Sequence, residues 1–323
     1  MLAAVMYMGS NKELAPVEDQ GVIFNIIDSP ANATVDQSAF YGRMLNKSIM
    51  DLPQTDFTFQ VTFPTGGFAG MVLKPWDQRD ESIFDVLPDV KRVTGEISGI
   101  RVIPITPAPL PGGGDFPVEF VIASTDESRD IYEVAKKLEK VMLDSGMFPF
   151  VLLDMKVDQP EYHLSIDREK VADLGLDLQT VTYDLGTLLG GGYVNRFNMS
   201  GQSYKVIPQV KRTGRLTPDD LEKLYITGPE GQLIRLDQIA SISHSTVPRS
   251  INRMQQLNAV KISAVTMQPL GVALEFMETE ARKIMPRSYS IDYTGESRQL
   301  IREGNACLPA FTQALAMIFL VLA

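Results

Sequence analysis

The chain has 323 residues, 44% of them hydrophobic and 22% charged. That is length for about two domains at roughly 150 residues each, and a composition near the globular average excludes collagen, coiled coil and wholesale disorder. Thirty basic against forty acidic side chains leave a net charge of −10, which argues against nucleic-acid binding because phosphate neutralisation needs clustered Lys and Arg. Cys307 is the single cysteine and permits no internal disulfide; with His163 and His244 it is too little for a four-ligand structural zinc site.

Residues 1–8 are an apolar run that turns polar at Gly9. They lack the positive flank and small-residue cleavage site of a signal peptide. A strand is expected over 22–27 and an amphipathic helix over 35–50, with Thr34 as N-cap and Gln37 as its capping-box partner. The chain should return as a strand over 57–63. Thr65-Gly66-Gly67-Phe68-Ala69-Gly70 then reads as a mobile Gly-rich loop. A helix near 81–95 leads to a strand over 100–105, and Pro and Gly cluster over 107–114 as an exposed connection.

The same grammar recurs twice. A strand over 116–123, a helix near 128–145 with apolar residues at three-and-four spacing and a strand over 150–155 form one unit. A strand over 259–265, a helix near 271–284 and a strand over 289–293 form the other. Paired units of this kind make split β-α-β sandwiches with helices on one face of a mixed or antiparallel sheet. Between them, 161–246 reads as an inserted subdomain with short helices and a long hairpin around 190–210. No charge follows Glu303, and 315–323 are all hydrophobic. A spanning helix needs about 20 apolar residues, and 304–323 just reaches that length. The preferred reading is the stub of one membrane helix, a large extramembranous insert and the opening of the next; a buried terminal helix is the alternative.

Chemistry is harder to find. The Gly-rich stretches match neither the P-loop nor the dinucleotide fingerprint, and G-x-S-x-G and H-E-x-x-H are missing. No catalytic or metal-binding residue is assigned, and no cofactor. Apolar groups beside glycine stand out instead: Phe63, Phe68 and Met71 bracket one Gly-rich stretch and Phe116 adjoins another. Such side chains offer adaptable contact area without strict hydrogen-bond geometry. Inward packing at strand ends is the competing explanation.

Several ordered motifs resemble one family. Glu18-Asp19-Gln20-Gly21 after an apolar segment is similar to a junction in resistance-nodulation-division (RND) efflux pumps. So are Gly67-Phe68-Ala69-Gly70 with Lys74-Pro75-Trp76, Ile166-Asp167-Arg168-Glu169-Lys170 with Leu174-Gly175, Leu189-Gly190-Gly191-Gly192-Tyr193-Val194-Asn195-Arg196-Phe197, Pro248-Arg249, and Tyr293-Thr294-Gly295. The likeness covers nearly the whole chain and is to the hydrophobe and amphiphile (multidrug) branch.

The resemblance implies an α+β fold: repeated ferredoxin-like β-α-β porter subdomains with an inserted mixed α/β docking subdomain, flanked by truncated transmembrane helix ends. Residues 1–20 would end one membrane helix and 296–323 would start the next. Residues 21–122 would be the first porter subdomain, 123–156 with 250–295 the second, and 157–249 the docking subdomain. Thr65, Gly66, Gly67, Phe68, Ala69 and Gly70 would form a switch loop, with Phe68, Phe63, Met71 and Phe116 contacting hydrophobic or amphiphilic small molecules. The implied setting is the bacterial inner membrane, with this segment mostly in the periplasm. The implied partners are two further copies in a homotrimer, a periplasmic adaptor (membrane fusion protein) and an outer-membrane channel. Transport would be proton-driven, through residues outside this chain. A structural module for adaptor docking and trimer packing is the second reading. A hydrolase is the third, and it lacks the required nucleophile or acid/base cluster.

Overall fold

The computed structural model describes residues 15–63, 65–303 and 307–322. The expected membrane-helix stub over 1–8 lies outside those residues. The chain divides into two compact units, one running to Gln159 and resuming at Pro248, the other spanning Pro160–Val247.

The first unit begins with β1 (Val22–Asp28), α1 (Val35–Met50), β2 (Thr55–Phe63), β3 (Gly66–Leu73), α2 (Ile83–Gly95) and β4 (Arg101–Ile105). The strands form an antiparallel sheet in the order β2-β3-β1-β4. Side chains alternate between its faces. Ile23 and Ile27 of β1 and Ala69, Met71 and Leu73 of β3 meet Leu45 and Ile49 of α1 and Ile83, Val86 and Val90 of α2 in a closed core. Thr34 does cap α1, accepting a hydrogen bond from the Gln37 amide at 3.2 Å. Reciprocal capping boxes occur elsewhere, at Ser82–Asp85 and Thr217–Asp220.

A second sandwich opens with β5 (Val118–Ser124), α3 (Ser128–Asp144) and β6 (Phe150–Leu153). The chain then leaves through β7 (Val157–Ile166) into the other unit. That unit holds α4 (Arg168–Asp173), α5 (Leu178–Gly190), β8 (Asn195–Met199), β9 (Gln202–Val206), α6 (Pro218–Glu222), β10 (Tyr225–Thr227) and β11 (Leu233–Arg235). Its exit strand is β12 (Ala240–Pro248), which pairs with β7. Val171, Val181, Leu185, Ile226, Ile234 and Ile239 are among its core residues. Asp167 and Asp177 cap α4 and α5, and Gly191 ends α5 in the left-handed region at φ +69°. Ser200 and Gly201 turn the β8–β9 hairpin, both with positive φ, as a tight hairpin turn requires.

The second sandwich is completed by β13 (Asn252–Met254), β14 (Leu257–Val265), α7 (Leu270–Ile284), β15 (Ser290–Tyr293) and α8 (Gly295–Glu303). Its sheet runs β13-β14-β5-β15, with β6 also on β14, and every pairing is antiparallel. Val118, Phe120, Ile122, Val260 and Ile262 pack under α3 and α7. Leu300 of α8 joins that core and Ser297 of α8 accepts a hydrogen bond from the Glu119 amide. Residues up to 303 therefore belong to the sandwich, not to the start of a membrane helix as the 296 boundary has it.

The last helix, α9 (Cys307–Leu322), is exposed all along 309–322, with Phe319 at 71% and Val321 at 81%. A buried terminal helix is thus ruled out. At 16 residues α9 is about 24 Å long, short of the roughly 30 Å hydrocarbon core. No helix among the described residues is long and apolar enough to cross a membrane.

Candidate functional site

The sheet of the first sandwich has one face under α1 and α2 and one without helices. Strand register decides which residues occupy the second face, since directly opposed residues share a side. Phe57, Phe59, Val61 and Phe63 of β2 oppose Val72, Gly70, Phe68 and Gly66 of β3. Phe68 and Gly70 in turn oppose Ile26 and Phe24 of β1, which oppose Ile103 and Ile105 of β4. The helix-free face is therefore apolar across all its strands.

One end of that face is covered and the other is not. At the β4 end, Ile103 and Ile105 are buried with Phe116, beside Phe150, Leu152 and Val265 of the second sandwich. Phe116 stacks on Phe150 with ring centroids 5.8 Å apart. At the β2 end, Phe57 and Phe63 are 52% exposed, Phe59 39% and Phe68 37%. Between this face and the connection 106–115 a cleft of about 440 Å³ opens, walled on the sheet side by Phe24, Ile26, Phe63, Gly67, Phe68 and Ile105. Phe59 meets both Phe24 and Phe68 edge-on at 6.3 Å, making a continuous aromatic floor. Gly70 allows it: a Cβ there would sit 2.0 Å from the Phe59 ring.

The fold separates the expected site residues. Phe63, Gly67 and Phe68 line the cleft. Met71 is fully buried in the core beneath the helices, three positions from Phe68 and so on the opposite face. Phe116 is 4% exposed and belongs to the covered seam. The Gly-rich loop is also corrected. Thr65 lies in the turn, while Gly66, Gly67, Phe68, Ala69 and Gly70 are strand β3, bonded to β1 on one side and β2 on the other. Glycine here serves close approach within a sheet: a Cβ on Gly67 would meet the Val61 carbonyl oxygen at 2.3 Å. Sequence reasoning missed Phe24, Phe57 and Phe59, although Phe57-Thr58-Phe59-Gln60-Val61-Thr62-Phe63 alternates at the period of a half-buried strand.

Charged groups brace the surroundings. Arg249 forks onto Asp158 at 2.6 Å through Nε and Nη2 and donates from Nη1 to the Ser29 carbonyl at 2.9 Å. Lys156 donates to Asp28, the last residue of β1. The Arg249 hydrogen bonds hold the Asp158 carboxyl below its usual range against a smaller opposing effect of burial. In the second sandwich, buried Glu119 accepts from Thr294 at 2.5 Å and pairs with Lys261 at 3.3 Å. Burial, and then the neighbouring Glu119, push Glu296 above the usual carboxylate range. Gly114 and Gly295 close over this group: a Cβ on Gly114 would lie 2.3 Å from the Glu119 carboxyl. Among the described residues no three His, Cys, Asp or Glu side chains converge on a point suited to a metal ion. The cleft itself offers one carboxylate, Asp115, against many apolar groups. It is built for contact, with no nucleophile beside a base.

Comparison with known proteins agrees on one family. The sequence model of the AcrB/AcrD/AcrF family matches residues 1–323. An uncharacterized transporter of Haemophilus influenzae is 31% identical over 326 residues, covering 98% of this chain and 31% of that protein. The multidrug export protein AcrF of Escherichia coli is 26% identical over 339 residues, covering 99% and 32%. The toluene efflux pump membrane transporter TtgB of Pseudomonas putida is 25% identical over 327 residues, covering 95% and 31%. The chain thus spans about a third of the length of these relatives. A crystal structure of a heavy metal efflux pump superposes with a TM-score of 0.85 over 99% of this chain and 36% of that one, at 17% identity, and so shows the fold alone.

Proposed function

We propose, since this chain belongs to the AcrB/AcrD/AcrF family, that it is the periplasmic substrate-handling and docking portion of a proton-driven exporter of hydrophobic and amphiphilic compounds. The observation that carries this reading is the aromatic row Phe24–Phe59–Phe68 on the helix-free face of the first sandwich, with Phe24 and Phe68 lining an apolar cleft under the connection 106–115. A cleft of this size, apolar with few polar groups, suits small molecules chosen by bulk and apolar surface. The names of the relatives, a multidrug exporter and a toluene pump, point to cargo of the same character.

In this reading residues 21–122 act as the first porter subdomain and 123–156 with 250–295 as the second. Cargo enters between them and moves along the Phe68 face as the seam around Phe116 and Phe150 opens and closes, a hinge or shear motion. Residues 157–249 face an adaptor and an outer-membrane channel, three copies assemble, and the protein sits in the bacterial inner membrane. Proton-carrying groups belong to membrane helices outside this chain. In the full-length protein, Phe68→Ala should weaken binding of a hydrophobic dye roughly three- to tenfold, the scale of one lost aromatic contact. Unchanged dye binding together with unchanged resistance would sink the proposal.

A structural role for the inserted unit is supported by a separate observation. The β8–β9 hairpin is exposed at every position, and its Phe197 and Tyr204 rings stack 5.6 Å apart. A lone two-stranded hairpin is marginal in water and gains stability from a partner. Phe197→Ala with Tyr204→Ala should impair assembly of the exporter while leaving dye affinity intact; a loss of affinity with assembly preserved counts against it.

A further inference from the structure

The connection that walls the Phe68 cleft lies against α8, and two carboxylates meet where they touch. Gln299 of α8 donates to the Pro111 carbonyl at 3.1 Å. Gly295, the first residue of α8, lies so near Gly114 that a Cβ on it would be 2.5 Å from the Gly114 amide nitrogen and 2.9 Å from Glu119 Oε2. Glu119 of β5 is 2% exposed and held from several directions. Its amide donates to the Ser297 hydroxyl at 2.9 Å, its carboxylate accepts from the Thr294 hydroxyl at 2.5 Å, and the Lys261 ammonium of β14 lies 3.3 Å away. Glu296 is placed differently: its Oε1 is buried and has no hydrogen-bond partner among the described residues. Glu119 is close enough to repel it, and Glu296 also lines an apolar hollow with no second charged group on its walls. The other charges nearby are engaged or exposed. Asp292 of β15 pairs with Arg298 of α8 at 3.3 Å, and Asp115 of the connection faces solvent.

Two carboxylates facing one ammonium leave a net negative charge in a poorly hydrated place, and like charges that share a site drive one of them to keep its proton. Burial, and then Glu119, raise the Glu296 carboxyl in agreement with that count. We propose that Glu119 and Glu296 hold one proton between them as a seat for the connection, and that loss of this proton to water frees residues 111–114 from α8. The titration belongs to the pair. With the connection seated, Glu296 is neutral and donates to the Glu119 carboxylate; once it ionises, it repels Glu119 and the start of α8 loses its hold on Gly113 and Gly114. A carboxyl whose pKa rises on seating favours the seated state on the acid side, and the advantage is lost as pH climbs through the raised value. That release would widen the Phe68 cleft for cargo rests on the function proposed above; the proton-dependent seat does not.

Hydrogen exchange of the full chain in detergent micelles reads the seat. Corrected for the intrinsic pH dependence of exchange, protection over 107–115 and 295–303 should fall about tenfold between about pH 5 and about pH 8, the scale of one lost charge-assisted hydrogen bond. Protection in β1 and α1 should stay constant over the same range. Glu296→Gln carries an amide that can donate to Glu119 at every pH, so it should keep the acid-side protection at about pH 8 and flatten the profile. Wild-type protection that does not vary with pH overturns the proposal, and so does a profile that Glu296→Gln leaves unchanged or merely shifts to lower protection throughout. Titration with the neutral dye N-phenyl-1-naphthylamine tests the cleft separately. A pH-dependent seat combined with dye affinity indifferent to both pH and Glu296→Gln upholds the shared proton and counts against cargo in the Phe68 cleft.

Discussion

Asp19 and Arg79 are joined by a bidentate ion pair, each carboxylate oxygen 3.0 Å from a guanidinium nitrogen, with side chains only 8% and 2% exposed. The same carboxylate accepts the Ile83 amide at 2.7 Å at the start of α2 and the Gly21 amide at 2.9 Å. Arg79 also donates to the Lys74 carbonyl and lies 3.9 Å from the Trp76 ring centroid. The motifs Glu18-Asp19-Gln20-Gly21 and Lys74-Pro75-Trp76 are thereby two halves of one clamp on the first sandwich. Removing one partner leaves a buried charge without compensation, so Asp19→Ala should cost about 3–5 kcal/mol. Burial pulls the Asp19 pKa up, but Arg79 and the two amides outweigh it and hold it below the ordinary carboxylate value. A depressed carboxylate pKa contributes stability above the unfolded value and loses it as pH falls through the folded one. The stability gap between wild type and Asp19→Asn should therefore be full at neutral pH and close below about pH 4. Denaturant melts across that range measure it; a gap independent of pH removes the ion pair as its cause.

Phe68 and Phe116 both adjoin Gly-rich stretches in the sequence and should behave in opposite ways. Phe116 is buried in the seam, so Phe116→Ala removes packing and leaves a cavity, at a cost of about 3–5 kcal/mol. Phe68 is part of an open face, and its truncation should cost about 1 kcal/mol or less while weakening dye binding. Met71→Ala should resemble Phe116→Ala, at about 2–5 kcal/mol, because Met71 fills the core under the helices. Paired melting and dye titration on the three variants give the comparison. A destabilised Phe68→Ala with unaltered dye affinity contradicts the assignment of that face.

The sandwiches were legible because their helices carry apolar stripes at three-and-four spacing and their strands are bounded by polar links. The Gly66–Gly70 strand was not, for a physical reason. Glycine has neither strand propensity nor a side chain to show alternation, so a central strand rich in it looks like a loop. Its place between β1 and β2 is set by close backbone approach, visible only in three dimensions. Once β3 is a strand, parity sends Phe68 and Met71 to opposite faces, and half of the candidate site follows. The charged clamps lie beyond any such rule: Asp19 and Arg79 are 60 residues apart and Asp158 and Arg249 are 91. Nothing in local spacing pairs them.

Arg249 reaches both Asp158 and the Ser29 carbonyl just past the end of β1, and its Nη1 also lies 3.5 Å from Asp28. It thereby links the first sandwich to the strand leading out of the second. A fork that makes four contacts cannot be replaced by an ammonium, so Arg249→Lys should lose most of what Arg249→Ala loses. Arg249 is 15% exposed but Asp158 is 46% exposed, and solvent screens the pair; the expected cost is about 1–2 kcal/mol, between the ranges for surface and buried pairs. The effect should be local as well as global. Ser29 donates its amide to the Thr65 carbonyl at the β2–β3 turn, at 3.3 Å. Loosening Arg249 frees the Ser29 carbonyl and should speed hydrogen exchange at Ser29 before it affects the cores. Exchange that accelerates uniformly across α3 and α7 instead would mean that Arg249 supports overall stability and does not brace the turn beside the aromatic cleft.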